Sequence, residues 1–227
     1  MSVRMLGGLF ATLSEDGSYN LTTGGYTVLV LVMIAALLLA CFLMKADQKA
    51  KGTRKLVFSA MAIALAFVTS FIKFLHLPMG GSITLFSMFF ITLIGYWYGL
   101  GSGILCGVAY GILQLVVDPY IISVPQMLVD YIFAFGALGL SGVFHKAKHG
   151  LLKGYLLAVF GRWCFATLSG VIFFGSYAAD YGMSPFAYSA AYNGLYIGVE
   201  AAITTVILCI PAVSKALAKV KALAVQE

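Results

Sequence analysis

Seven long apolar runs, at 26–44, 56–75, 83–98, 100–117, 124–144, 151–174 and 187–213, constrain this chain more than any other feature. A helix needs roughly 20 mostly apolar residues to cross the hydrocarbon of a bilayer, and in lipid the backbone must satisfy its own hydrogen bonds. Short segments rich in Gly, Pro or charge separate the runs, among them Pro78-Met79-Gly80-Gly81, Asp118-Pro119 and the stretch 180–185. The expected fold is therefore all-α, a polytopic membrane helical bundle. With 62% hydrophobic and 10% charged residues, the chain carries too much apolar surface for one water-soluble core. The runs leave no room for a soluble catalytic domain. The first of them begins only at Tyr26, after the acidic Glu15 and Asp16, so a retained helix is expected there and not a cleaved secretory signal.

A formal charge of +6 raises the possibility of nucleic-acid binding, but that needs a basic face on a soluble module, and none is visible. The positive charge is placed as a topology signal instead, since Lys and Arg are retained on the cytoplasmic side. Lys45, Lys49, Lys51, Arg54, Lys55, Lys146, Lys148, Lys153, Lys215, Lys219 and Lys221 fall on one side if every run spans, eleven of the fourteen basic residues. The exceptions are Arg4, Lys73 and Arg162, and the opposite loops carry Asp118 and Asp180. The expected topology is N-terminus outside, C-terminus cytoplasmic.

Small residues let membrane helices approach closely. Gly99, Gly103, Gly107 and Gly111 recur every four residues and form one smooth face, read first as internal packing. Ala62, Ala66 and Ser70 repeat the spacing, with Ala60 and Ala64 beside them; this second stripe fits either internal packing or the docking of another membrane subunit. The four cysteines, Cys41, Cys106, Cys164 and Cys209, lie in apolar runs without metal-ligand spacing and read as packing residues.

An ionisable residue at a helix centre costs at least about 2.5–3.5 kcal/mol on insertion scales, so each needs a partner or a task. Asp130, Arg162 and Glu200 are the three. At ~1.5 Å per residue, Asp130 and Asn193 both sit roughly 8–9 Å below the outer helix ends, and Arg162 and Glu200 about 18–20 Å. Equal depth on consecutive antiparallel helices predicts that Arg162 and Glu200 mainly neutralise each other. Around the shallower pair lie Tyr110, Tyr131, Phe173, Phe174, Tyr188, Tyr192 and Tyr196. A carboxylate, an amide and several aromatic faces suit a small, flat, cationic heteroaromatic ligand, which gains countercharge, stacking and cation–π contact.

No His-Glu-x-x-His, P-loop, GxGxxG or Gly-x-Ser-x-Gly motif is present, and His76, His145 and His149 stand apart from the acids. An enzyme is not expected. Without a P-loop, this chain is not expected to hydrolyse ATP.

The stretches 77–88, 110–114, 126–135 and 169–177, with Tyr188-Ser-Ala-Ala-Tyr-Asn193, resemble the thiamine-specific S-component (ThiT) family of energy-coupling factor transporters. The resemblance covers residues 54–213. It implies a six-helix S-component core at 54–227, preceded at 1–53 by a tail, an additional transmembrane helix and a basic linker. It further implies capture of thiamine at the bacterial plasma membrane, with a T-component and two ATPases as partners, no cofactor in this chain and no nucleic acid. Residue by residue, the substrate-binding positions match Asp130, Tyr131, Tyr188, Asn193, Phe174, Tyr110 and Arg162. The T-component docking positions match Ala60, Ala62, Ala64 and Ala66, and 76–82 resembles a lid over the pocket. One position departs: the helix pattern carries a ligand-contacting His where this chain has Ala166. That leaves a related pyrimidine, thiazole or thiamine phosphate, another vitamin, or a membrane interaction protein without a small ligand as alternatives to thiamine.

Overall fold

A computed structural model describes residues 11–13, 19–25, 27–28, 31, 52–117 and 119–225. The expected N-terminal span at 26–44, but for residues 27–28 and 31, lies outside the described residues, as do Lys45, Lys49, Lys51 and Asp118. A short antiparallel pair, β1 (Ala11–Leu13) and β2 (Tyr19–Leu21), precedes the bundle. The bundle consists of α1 (Thr53–Ser70), a hairpin of β3 (Lys73–His76) and β4 (Ser82–Thr84), α2 (Ser87–Tyr98), α3 (Leu100–Val117), α4 (Val124–Phe144), α5 (Gly150–Phe173), α6 (Pro185–Leu208) and α7 (Pro211–Val225).

Among the described residues, α1, α3, α4, α5 and α6 are long and apolar enough to cross a membrane. Large apolar side chains face outward along them, with Leu56 71%, Val116 74%, Phe160 58% and Val206 67% exposed. In water such surfaces would associate; against lipid tails they are at home.

Three expected boundaries move. The 83–98 run is not one spanning helix: its first residues form β4, Phe86 takes a left-handed conformation, and α2 has 12 residues. At 1.5 Å per residue that is roughly 18 Å, short of the ~30 Å of hydrocarbon. Its apolar character serves burial instead, since Met88, Ile91, Thr92 and Ile94 are fully enclosed by the helices around it. The 56–75 run likewise stops as helix at Ser70. Its last residues, Lys73 to Leu75, pair as β3 with β4, whose Ile83 and Thr84 are β-branched, across a turn at Pro78–Gly80. The 187–213 run breaks before Pro211, whose missing N–H and ring clash end α6 and start α7.

The glycine stripe of α3 packs inward. A Cβ on Gly103 would stand 2.7 Å from the Gly95 Cα and 2.9 Å from the Gly139 Cα, so α2, α3 and α4 meet with backbones almost touching. The alanine stripe of α1 divides. Ala62 and Ala66, 5% and 0% exposed, face the core, whereas Ala60 and Ala64 face outward. Of the four expected docking positions, Ala60 and Ala64 are therefore exposed on the isolated chain, and Ala62 and Ala66 are covered by its own helices.

Candidate functional site

Helix α4 starts with Pro125 in its first turn and Ser123 as cap, whose hydroxyl accepts from the Gln126 N–H at 3.2 Å. It then widens into a π-turn over Leu128–Phe133, a form frequent at functional sites, and Asp130 sits inside it. Gln126, 1% exposed, orients this carboxylate: its amide donates to Asp130 Oδ2 at 2.6 Å and to the Tyr120 carbonyl at 3.1 Å, while its oxygen accepts from the Ile122 N–H at 3.1 Å. The next residue, Tyr131, accepts from the Tyr120 N–H through its hydroxyl at 2.8 Å. The α3–α4 loop is thus folded back onto the acid.

Asp130, Tyr131, Tyr188, Asn193, Phe174, Tyr110 and Arg162 all border one cavity of about 160 Å³. Its walls are aromatic. Tyr120 and Phe174 lie 5.9 Å apart, Tyr188 and Tyr192 stack with their centroids 6.1 Å apart, and Tyr110 meets Phe135 edge-on at 5.2 Å. Asn193 is fixed by donating to the Ala166 carbonyl at 3.2 Å and the Ser189 carbonyl at 2.9 Å, and by accepting from the Tyr196 hydroxyl at 2.8 Å. Ser169 and Ser189 also border the cavity; their buried hydroxyls have no hydrogen-bond partner among the described residues.

The hairpin covers this cavity. Gly81 donates its N–H to the Tyr192 hydroxyl at 3.1 Å, and that hydroxyl donates to the Pro78 carbonyl. A Cβ on Gly81 would stand 3.0 Å from Tyr192 Cζ and 3.1 Å from Tyr196, so only glycine lets the tip sit this close to α6.

The expected Arg162–Glu200 pair does not form. Glu200 accepts from the Thr84 hydroxyl at 2.6 Å, the Ser87 hydroxyl at 3.3 Å and the Met88 N–H at 3.1 Å. The Arg162 guanidinium instead lies 4.3 Å from the Phe135 ring centroid, facing the cavity. Equal depth did not imply contact, because Glu200 turns toward the start of α2 and meets hydrogen-bond donors there. Sequence reasoning also assigned no role to Gln126, Tyr120, Ser169 and Ser189. Gln126 was open to it, lying four residues before Asp130 and hence on the same helical face.

The sequence matches the family described as thiamine transporter protein (Thia_YuaJ) over residues 56–220. It is 33% identical over 168 residues to the thiamine transporter ThiT of Bacillus subtilis (strain 168), covering 68% of this chain and 85% of that protein. The structure of ThiT from Listeria monocytogenes superposes with a TM-score of 0.56 at 23% identity, covering 70% of this chain and 96% of that one, and so shares its fold. On the extent of the family match and the identity to the Bacillus protein, this chain belongs to the thiamine transporter protein family.

Proposed function

We infer that this protein captures thiamine from outside the cell and serves as the membrane substrate-binding subunit of an energy-coupling factor transporter. The observation that carries this reading is the Asp130 carboxylate, held by Gln126 at the edge of a cavity walled by aromatic rings. Thiamine joins an aminopyrimidine to a permanently cationic thiazolium. A carboxylate supplies countercharge, and tyrosine and phenylalanine faces supply stacking and cation–π attraction, worth about 0.5–2 kcal/mol each. Family membership supports the same assignment.

The finer parts of the proposal concern partners and orientation. The cavity lies at the end of the bundle where the hairpin, the end of α1 and the starts of α4 and α6 converge. Arg54, Lys55, Lys146, Lys148 and Lys153 lie at the other ends of α1, α4 and α5. The positive-inside rule then directs the cavity outward and places the C-terminus in the cytoplasm. A T-component docks on the outward face of α1 around Ala60 and Ala64, and the ATPases it recruits supply the energy. Isothermal titration of the purified protein in lipid nanodiscs tests the substrate: thiamine binds, and its separate pyrimidine and thiazole halves bind more weakly. Absence of thiamine binding by folded protein refutes the reading.

A further inference from the structure

The carboxylate of Glu200 does not border the cavity, yet it is 4% exposed in a membrane-spanning helix and therefore needs a task. Its three donors identify one. Thr84 ends β4, and Ser87 and Met88 begin α2, so all three belong to the junction where the hairpin joins the bundle. That junction lacks its own cap. Phe86, at the N-cap position of α2, offers no side-chain acceptor and stands at φ 59°, a conformation that a bulky residue adopts only when its surroundings enforce it. Glu200 supplies from α6 both the missing acceptor for the Met88 N–H and a negative charge at the helix N-terminus.

Glu200 also has company along α6. Tyr192, Tyr196 and Glu200 follow one another every four residues and share a face. Tyr192 grips the tip of the hairpin through Gly81 and Pro78; Glu200 grips its root through Thr84, roughly 12 Å further along the axis. Between them Tyr196 lies against Gly81. One face of α6 therefore fastens the hairpin at both ends, and Gly81, Ser82 and Thr84 form the cavity wall between those fastenings.

We propose that Glu200 is a positioning residue that anchors the root of the β3–β4 hairpin and thereby sets how long the ligand stays in the cavity. The proposal rests on the capture reading above. Glu200 touches no ligand; it acts by keeping Thr84 and the start of α2 in place, so that opening the hairpin requires breaking hydrogen bonds to a buried charge. Its loss shortens residence and leaves the rate of ligand arrival nearly unchanged.

The test is the release of radiolabelled thiamine from protein in nanodiscs, chased with unlabelled thiamine, together with hydrogen exchange at the amides of 82–88. Glu200→Gln keeps one acceptor and the size of the side chain but loses the charge. Its dissociation rate is expected to rise by about tenfold or more, the usual loss for a hydrogen bond to a charged group, with association changed less than about threefold. Amides at 82–88 exchange faster in the ligand-free variant while those of α3 and α5 do not. Thr84→Val, which removes the shortest bond to Glu200 together with the 2.7 Å hydroxyl contact between Thr84 and Ser87, moves dissociation in the same direction and gives the reading if Glu200→Gln does not fold. Unchanged dissociation and unchanged exchange at 82–88 overturn the proposal, as does an equal loss of protection throughout the bundle, which marks a general fold defect. Failure of the wild-type protein to bind thiamine overturns the capture reading instead.

Discussion

Replacing Asp130 by Asn tests the electrostatic basis of ligand capture with little change in shape. The side-chain oxygen that accepts from Gln126 is kept, so the fold-back of the α3–α4 loop through Gln126 and Tyr131 survives. What is lost is one unit of negative charge at the cavity wall. For opposite unit charges in contact at about 4–5 Å, with an effective dielectric of about 20, the attraction is roughly 3–4 kcal/mol. That corresponds to a Kd weaker by roughly a hundred- to a thousandfold. Isothermal titration in nanodiscs at fixed ionic strength measures it, with thermal unfolding of the ligand-free protein confirming that the variant folds as the parent does. A loss smaller than about threefold, with stability retained, would falsify the claim that this carboxylate faces the cation.

Gln126→Ala strands the Asp130 carboxylate, the Tyr120 carbonyl and the Ile122 N–H at once; thermal unfolding should show a destabilisation of about 1–3 kcal/mol, and binding should weaken with it. Gly103→Leu forces a side chain between Gly95 and Gly139, and the apparent melting temperature in detergent should fall by an amount matching a loss of at least about 1–3 kcal/mol. On α1 the two alanine pairs should separate. Ala60→Leu and Ala64→Leu leave thiamine affinity intact and impair uptake by cells, while Ala62→Leu and Ala66→Leu lower stability and affinity together, because their Cβ atoms point into the core.

Much of the architecture was legible in the sequence. Hydrophobic runs declare helices in lipid because no other open structure satisfies the backbone there, and the Gly99 to Gly111 spacing declared a close helix contact that α2 and α4 do fill. The candidate site was legible for a related reason. Charge and amide groups are costly inside a bundle, so Asp130, Arg162 and Asn193 stood out, and all three border the same cavity.

The break at Pro78–Gly81 was legible, but the strands beside it and the π-turn were not, because most of β3 and β4 and all of the π-turn lie inside the apolar runs 56–75, 83–98 and 124–144. Residues 73–76 and 82–84 could have continued as helix; pairing across Pro78–Gly80 and the seat offered by Tyr192 made them strands. Which face of α1 turns inward was equally hidden, since Ala60, Ala62, Ala64 and Ala66 are alike in size and polarity and only their azimuth against α2 and α3 separates them. Composition and spacing by themselves determined that this chain lives in a bilayer and that its few buried polar groups require partners. Tertiary structure alone decided who those partners are, sending Glu200 to the start of α2 and leaving Arg162 over the Phe135 ring, because hydrogen bonds act over about 3 Å and depth along a helix axis carries no information about direction around it.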